Sequence, residues 1–331
     1  MITDGAWLFR VASDPKWGGG HVSRCRVLAR ALRRRGVGAA FWLDVNDGGW
    51  AESLVAEGFQ VVDGRLVRSL DWEGLVIDGY DLLGRASIEQ LARIARPTVC
   101  LVDHLAPGGD VDLMVTAGAT QKASGKILKG MQYALVDAAF SRIPDVSHGP
   151  IARLLVTMGR ADMVGATARV VRGLAQVRFF GPPPSVAVVV GRHSPDRDEV
   201  AKTLERYPGP FELFLDVPDM TKLFTQSDAV VVSGGVSLLE CLAAGRPNVV
   251  VQTAPNQAGN VGQALESGAS LWGGDVVAWD DDRFVRAVES LIGSSQARQA
   301  MSEAGRRAVD AQGADRVAAT IIELERSGAY V

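Results

Sequence analysis

The sequence has little cysteine, with only Cys25, Cys100 and Cys241 in 331 residues. An odd number of widely separated thiols offers neither a disulfide framework nor the paired ligands of a zinc site. Long apolar runs are also missing, since none approaches the roughly 18 residues that span a membrane. Asp4 and Arg10 interrupt the N-terminus before a signal-like apolar core develops. These absences predict a cytoplasmic protein that is neither exported nor inserted into a membrane.

An excess of charge of either sign is lacking as well. The formal net charge is -3, which gives no overall field to attract nucleic acid. The arginine run 33–35 lies at the end of a predicted helix and is interpreted as a solvated helix face. Hydrophobic residues make up 47% and charged residues 22% of the chain, as in soluble globular proteins. A length of 331 residues predicts two domains of about 150 residues each.

Short apolar runs alternate with helical patterns in both halves, which predicts parallel sheets with crossover helices. The predicted strands are residues 7–11, 39–43, 75–77, 99–102 and 113–116, then 153–157, 186–190, 211–215, 229–232 and 248–252. A polar stretch with two prolines separates the two series. We therefore predict an N-terminal domain over 1–143, a linker over 144–150, and a C-terminal domain over 151–331 with a helical tail from about Gln296.

The turn Gly18-Gly19-Gly20-His21 follows the first predicted strand and opens a helix. Glycines permit a tight turn and close approach of a ligand, and a helix N-terminus offers free N–H groups to a phosphate. Gly36 supplies a C-terminal stop. The helix is predicted from residues at helical spacing: Val22, Cys25, Leu28, Ala29 and Leu32.

His21 and Arg24 carry the chemistry of this turn. An imidazole has an unperturbed pKa of about 6.5, so His21 suits general-base work on water, although it could merely cap the helix. Arg24 opposes the helix dipole in the first turn, which favours an anion shared at that position. A carboxylate such as Asp14 is the alternative partner for Arg24.

Two predicted strands end in acids, Asp78 and Asp103. Ligands of open α/β sheets gather at the carboxyl ends of strands, so both acids are candidate site residues. The alternative is that each caps the following loop or helix.

The second half repeats the pattern of strand, glycine turn and helix at Ser233-Gly234-Gly235-Val-Ser237-Leu-Leu-Glu240. A phosphate can meet helix N–H groups there, with both serine hydroxyls as further donors. Glu240 could complete a capping box with Ser237 or accept hydrogen bonds from a ribose diol.

Three further features follow strands of the second half. Asn256 and Gln257 begin a helix, where amides can bind hydroxyl or acetamido groups, although Asn256 could simply cap that helix. At a strand-end turn, Arg160 after Gly159 could face a phosphate or be exposed. The acidic run 280–282 is interpreted as N-capping and not as a metal motif.

Glycine turns at facing ends of two α/β domains resemble the GT-B architecture, in which two Rossmann-like domains face each other across a cleft. The order of motifs resembles the UDP-sugar hydrolases of pseudaminic acid biosynthesis over nearly the whole chain. The resemblance extends to spore-coat polysaccharide proteins and, more distantly, to MurG-like glycosyltransferases. The motifs are Phe9-Arg10-x-Ala12-Ser13-Asp14, the turn 18–24, Val76-Ile77-Asp78-x-Tyr80, Leu101-Val102-Asp103, Asp112-Leu113, Tyr133-Ala134-Leu135, Met158-Gly159 and Asn256-Gln257.

The resemblance implies hydrolysis of a UDP-linked 2,4-diacetamido-trideoxy sugar to free sugar and UDP, without a metal or other cofactor. In that family His21 would activate water, and Glu240 would bind the ribose. The diphosphate would lie between the turn 18–20 and the helix start 233–237, where oriented dipoles can replace a divalent cation. The remaining substrate-binding residues that it implies are Arg10, Asp14, Gly18, Gly19, Gly20, Arg24, Asp78, Tyr80, Asp103, Gly159, Ser233, Gly234, Gly235, Ser237, Asn256 and Gln257.

The chain departs from the family pattern at several positions. Gly79 stands where the family commonly has His, His104 where it has Asp, and Arg160 where it has Gly. Residues 116–118 replace an expected Asp-Gln-Asn stretch. These departures indicate a substrate of different stereochemistry or acylation, or a diverged paralogue.

Two other functions remain open. A GT-B glycosyltransferase would use the same UDP-sugar site but present an acceptor hydroxyl in place of water. A non-catalytic binder would keep the two turns without needing His21. In all three cases the expected partners are a UDP-sugar and UDP.

Overall fold

The computed structural model describes residues 5–17, 19–118, 125–146, 149–160, 162, 164–191 and 194–328. The chain divides into two compact units, one comprising Met1–Val136 with Gln312–Val331 and the other Asp137–Ala311. Each unit is a parallel sheet with helices.

The sheet of the first unit has the strand order β3-β2-β1-β4-β5-β6-β7, and all of its neighbouring strands are parallel. Its strands are β1 (Ala6–Val11), β2 (Gly38–Trp42), β3 (Gln60–Val61), β4 (Trp72–Asp78), β5 (Thr98–Leu101), β6 (Leu113–Thr116) and β7 (Lys126–Lys129).

The sheet of the second unit has the order β10-β9-β8-β11-β12-β13 and is also parallel. Its strands are β8 (Arg153–Thr157), β9 (Ser185–Val190), β10 (Phe211–Leu215), β11 (Ala229–Ser233), β12 (Asn248–Gln252) and β13 (Leu271–Asp275). All ten strands expected from the sequence are confirmed in position, while β3, β7 and β13 were not foreseen.

The helices connect these strands and cover the sheets. They are α1 (Gly20–Arg34), α2 (Trp50–Ala56), α3 (Arg85–Leu91), α4 (Ala166–Leu174), α5 (Arg197–Leu204), α6 (Thr221–Thr225), α7 (Val236–Ala243), α8 (Ala258–Glu266), α9 (Asp281–Gly293), α10 (Ser295–Ala308) and α11 (Gly313–Ser327). Among the described residues, none of these helices has the length and apolarity needed to cross a bilayer.

The core of the first unit lies on both faces of its sheet. Successive side chains of a strand point to opposite faces, so β1 places Trp7, Phe9 and Val11 in the core beneath α1 and Leu8 in a second core on the other side. The face of α1 foreseen from its spacing is buried. Gly36, with φ +81°, follows the C-cap of that helix as expected.

The division into units differs from the one expected at 144–150. Helix α11 groups with the first unit because Val317, Ala318 and Ile321 are buried in the same core as β1 and α1. Segment 137–146 groups with the second unit, where the Arg246 guanidinium donates to the Pro144 carbonyl at 3.0 Å. Pro144 of the predicted linker therefore lies on a folded unit.

Candidate functional site

The chemistry-bearing cluster of the first unit is built on Asp78, the last residue of β4, whose side chain is completely buried. His21 Nδ1 lies 2.7 Å from Asp78 Oδ1. Arg24 donates to the same oxygen through Nη2 and to Oδ2 through Nε, at 2.6 Å each. The Cys25 thiol donates to Oδ2 at 3.3 Å. Positions 21, 24 and 25 share one face of a helix, so α1 directs all three donors at one carboxylate.

These contacts keep Asp78 ionised. Burial alone would raise its pKa, but the charges and hydrogen bonds of Arg24 and His21 hold the pKa at about 2. Burial raises the pKa of the Cys25 thiol well above its usual range, and Asp78 acts in the same direction, so the thiol keeps its proton. Asp78 is thus an acceptor with four hydrogen-bond donors.

The ionised carboxylate fixes the tautomer of His21. A carboxylate can only accept, so the 2.7 Å contact requires a proton on His21 Nδ1. Arg24 Nη2 is 3.2 Å from the same nitrogen, and two donors cannot bond to each other, so both point at Asp78 Oδ1. In the neutral ring Nε2 then carries the lone pair, which makes it the basic atom of the site.

Arg24 connects Asp78 to a second acid. Its Nη1 donates to Asp103 Oδ1, and the Tyr80 hydroxyl donates to the other oxygen of that carboxylate. Burial raises the pKa of Asp103, but Arg24 and Tyr80 outweigh it and the pKa is lowered. The single cation is therefore matched by two carboxylates. Arg24 thus pairs with carboxylates, as its alternative interpretation predicted, but these are Asp78 and Asp103 in place of Asp14. That Arg24 faces an anion of a ligand stays a prediction.

The ring of Tyr80 packs against three other aromatic rings of the site. Its centroid is 4.8 Å from that of His21 in an edge-on arrangement. The rings of Trp17 and His104 each lie 5.7 Å from Tyr80. The structure thus brings together His21, Arg24, Asp78, Tyr80 and Asp103 from the predicted set.

Arg10 and Asp14 have a different place. Arg10 donates to Asp44 at 2.8 Å and lies over the Trp42 ring at 4.8 Å from its centroid. The other oxygen of Asp44 accepts the backbone N–H groups of Ser13 at 2.7 Å and Asp14 at 3.1 Å. These residues hold the segment that leads from β1 to α1. Sequence reasoning missed Asp44, although an acid directly after a predicted strand was the signal that found Asp78.

The turn before α1 bears on the role of His21. Gly19 is the N-cap, Gly20 is the first helical residue, and no side chain caps the helix. The alternative that His21 caps α1 is wrong, because His21 lies inside the helix and bonds to Asp78. Gly18 lies outside the described residues.

The second unit has a bare helix N-terminus after β11. Gly235 is the N-cap of α7, without a side-chain cap, and Ser237 lies inside the helix. The capping-box alternative for Ser237 and Glu240 is therefore wrong. A Cβ on Gly234 would lie 2.3 Å from Val261 Cγ2, so the turn requires glycine at that position. Ser233 is buried, and Glu240 is partly exposed one turn into the helix.

The neighbouring loop supports this turn. Gln257 accepts from the Thr253 backbone N–H at 2.8 Å and lies 2.9 Å from the Thr253 hydroxyl, which closes the loop between β12 and α8. The N-cap of α8 is Gln257 and not Asn256, because a 3₁₀ helix over Pro255–Gln257 precedes α8. The expectation that Asn256 caps the helix is wrong.

The structure accounts for two departures from the family pattern. Gly79 has φ +156°, and a Cβ there would lie 2.4 Å from Ala12 Cβ, so a larger residue does not fit without rearrangement. Arg160 follows Gly159, which has φ +89°, and pairs with Asp216 at 3.0 Å. The Arg160 side chain is exposed, as one of its two interpretations predicted, while the suggestion that it faces a phosphate stays a prediction.

A metal site would need several histidine, cysteine or acidic side chains close together. The described part of the chain holds no cluster of three or more histidine, cysteine or acidic side chains that could bind a metal ion. Asp280 accepts the backbone N–H of Arg283 at 3.0 Å as the N-cap of α9, so the capping interpretation of that run is confirmed.

Comparison with known proteins gives a partial sequence relationship and a fold. No family model matches the chain. It is 26% identical over 201 residues to the spore coat polysaccharide biosynthesis protein SpsG of Bacillus subtilis (strain 168), a match that spans 60% of this chain and 59% of that protein. The resemblance to a spore-coat polysaccharide protein is thereby supported, while the hydrolase family stays a prediction.

Solved structures of low identity show the fold. MurG from Acinetobacter baumannii is 13% identical with a TM-score of 0.69, over 96% of this chain and 99% of that one. HepE from Anabaena in complex with UDP-glucose is 13% identical with a TM-score of 0.65, again over 96% and 99%. The predicted GT-B fold class, with two parallel α/β units, is confirmed.

We predict that Asp78→Asn destabilises the protein in a pH-dependent way. Removing one partner of a buried ion pair costs about 3–5 kcal/mol at neutral pH. The folded pKa of about 2 lies below the usual 3.8, so the ionised form stabilises the fold above pH 3.8 and this contribution is lost as pH falls through 2. The difference in unfolding free energy should therefore shrink by about 2 kcal/mol between pH 4 and pH 2.

Urea unfolding of both proteins across that pH range measures this difference. Asp81→Asn is the matched control, since Asp81 is exposed on the neighbouring turn and should give a small difference. A difference for Asp78→Asn that is equally large at pH 2 and pH 4 would contradict the assignment.

Proposed function

We propose that the protein is a nucleotide-sugar hydrolase. It cleaves a UDP-linked 2,4-diacetamido-trideoxy sugar to free sugar and UDP, with His21 as general base on water. The observation that carries the proposal is the contact of 2.7 Å between His21 Nδ1 and the ionised Asp78, which leaves Nε2 as the basic atom. Asp78 and Arg24 act as positioning residues.

The chemical step balances without a co-reactant other than water. The water oxygen bonds to the anomeric carbon, and its proton passes to His21 Nε2. The bond between the anomeric carbon and the terminal phosphate oxygen of UDP breaks, and UDP leaves with the electron pair. General-base assistance of this kind contributes about 10² to 10⁴ in rate.

The nucleotide binds on the second unit. The uncapped N-terminus of α7 after Gly234-Gly235 offers backbone N–H groups and the positive end of the helix dipole to the diphosphate. Ser233 and Ser237 add hydroxyl donors, and Glu240 accepts from the ribose hydroxyls. HepE was solved with UDP-glucose, which supports a nucleotide sugar as the ligand of this fold.

The biological setting follows from the relative. SpsG is named for spore coat polysaccharide biosynthesis, which supports a role in making a sugar for a surface glycan. We place the reaction in the cytoplasm, in a pathway of the pseudaminic acid type.

A glycosyltransferase is the second candidate. Its support is the likeness to MurG over 96% of this chain and to the calicheamicin glycosyltransferase CalG4 over 98%. The same base would then deprotonate an acceptor hydroxyl. A non-catalytic UDP-sugar binder is a third outcome of the same test.

The reaction can be followed by phosphorus and proton NMR. The purified protein is mixed with UDP-2,4-diacetamido-2,4,6-trideoxyaltrose in EDTA without an acceptor. We expect UDP and a free reducing sugar to form together. Saturable UDP binding with an unchanged substrate would contradict the hydrolase and favour a transferase, a binder or another sugar.

His21→Ala and His21→Asn should lower turnover in this assay by about 10² to 10⁴, because the base is lost while the nucleotide site on the other unit is untouched. UDP affinity, measured by calorimetry, should stay within about twofold and serves as the folding control. Turnover like that of the unmodified protein would exclude His21 as the base.

Glu240→Ala should weaken UDP binding by about 1.5–3 kcal/mol if the carboxylate accepts ribose hydroxyls. The loss should disappear when 2′,3′-dideoxy-UDP replaces UDP, because that nucleotide lacks both hydroxyls. Glu266→Ala is the matched control, since Glu266 is exposed at the end of α8 on the same unit. An equal loss of affinity for both nucleotides would show that Glu240 has a structural role and does not bind the ribose.

A further inference from the structure

Trp17 and His104 are two side chains that the mechanism does not use, although both contact its centre. Their rings lie on Tyr80, each with a centroid separation of 5.7 Å. Tyr80 in turn lies against the ring of His21 at 4.8 Å. A group held by Trp17 or His104 is therefore one aromatic ring away from the proposed base.

Both side chains bury a nitrogen without a partner. Trp17 Nε1 and His104 Nδ1 have almost no exposed surface and make no hydrogen bond in the described structure. Buried polar atoms in folded proteins are nearly always bonded, so two exceptions around one ring need an explanation.

Other tryptophans of the chain show that its fold satisfies indole N–H groups. Trp7 donates to Glu325 at 3.2 Å, Trp72 to the Val67 carbonyl at 2.9 Å, and Trp279 to Asp281 at 2.8 Å. The indole nitrogen of Trp17, which has no partner, thus differs from the indole nitrogens of these three tryptophans. A ligand that supplies an acceptor would explain it.

The chemistry of the two nitrogens limits the ligand. The indole N–H can only donate, whereas the imidazole nitrogen of His104 can donate or accept. The rings of Trp17, Tyr80 and His104 add an apolar surface. A group with a carbonyl oxygen, an N–H and a methyl would match all three features, and an N-acyl group has these parts.

The charge around the cluster disfavours an anionic ligand. Asp78 and Asp103 carry two negative charges against the positive charge of Arg24. Lys16 Nζ lies over the Trp17 ring at 5.1 Å from its centroid, but it also pairs with Asp14 at 3.9 Å, so the negative charges still outnumber the positive ones. A carboxylate or phosphate next to Tyr80, whose hydroxyl donates to Asp103, would meet net negative charge. A neutral acyl group meets no such repulsion.

We propose that Trp17 and His104 form an N-acyl subsite. The indole N–H donates to the acyl carbonyl, His104 Nδ1 accepts from the amide N–H, and the methyl packs on the rings. This inference rests on the proposed function, because His21 next to Tyr80 would place the subsite beside the anomeric carbon. It therefore selects the acetamido group at C2 of the sugar.

Binding must uncover the two nitrogens, since both are covered in the structure. Trp17 ends a short 3₁₀ helix over Pro15–Trp17, just before the glycine turn of α1. We expect this segment to shift when the acyl group enters. The change replaces an unsatisfied donor by a bonded one.

Calorimetry in the His21→Ala background tests the subsite without turnover. The two ligands are UDP-2,4-diacetamido-2,4,6-trideoxyaltrose and its analogue with a hydroxyl at C2. We expect the acetamido ligand to bind at least about tenfold more tightly, as a matched amide pair would give. Trp17→Phe and His104→Phe keep a ring but remove the nitrogen, so each should reduce the ratio to about twofold or less.

Two controls separate recognition from damage. Trp72→Phe removes an indole of the same unit whose N–H already has an acceptor, and it should leave the ratio unchanged. UDP alone should bind equally to every variant. If Trp17→Phe fails to fold, His104→Phe carries the test.

The outcomes also separate the subsite from the function. Equal affinity for the two ligands, or a ratio that neither variant lowers, overturns the subsite even if hydrolysis occurs. A ratio that falls in both variants, with no hydrolysis by the unmodified protein, supports the subsite and overturns the hydrolase.

Discussion

A buried carboxylate governs the chemistry of the first unit. Asp78 is completely enclosed at the end of β4, and an enclosed charge is costly unless donors surround it. Helix α1 supplies those donors from consecutive turns, at positions 21, 24 and 25. The need to surround Asp78 with donors therefore fixes which face of α1 points at it, the tautomer of His21 and the position of Arg24. Arg24 in turn orients Asp103.

The two units favour ligand groups of different charge. Around Asp78 the carboxylates outnumber the single guanidinium, which favours a neutral ligand or one that gains positive charge. On the second unit, the bare N-terminus of α7 favours an anion. In the proposed reaction the sugar carries developing positive charge in an oxocarbenium-like transition state, and UDP carries the negative charge. The proposed function therefore assigns the sugar to the first unit and UDP to the second.

Much of this could be predicted from the sequence, because parallel strands are continuous apolar runs and glycine turns are visible. Strand β7 escaped notice because only Leu128 of its four residues is buried, so no apolar pattern marks it. In β13, Gly273 and Gly274 interrupt the pattern. Asp78 and Asp103 were recognised as candidates because each directly ends or follows an apolar run that the sequence shows.

The partners of those acids could not be read from the sequence. His21 and Asp78 are 57 residues apart, and their contact depends on β1 lying beside β4, which is a property of the strand order. The ring cluster of Trp17, Tyr80 and His104 was missed for the same reason, whereas Asp44 was overlooked although it directly follows a predicted strand. Local spacing identifies the groups, but only the tertiary order shows which groups meet.

The tautomer of His21 tests the account most directly. The chain has four histidines, so nitrogen-15 NMR of the imidazoles at neutral pH can resolve them, and His21→Asn assigns the resonance. The account predicts a protonated Nδ1 and a bare Nε2 for His21. A proton on Nε2 with a bare Nδ1 would contradict it, because Asp78 would then have no donor from the ring and the basic atom would face the carboxylate.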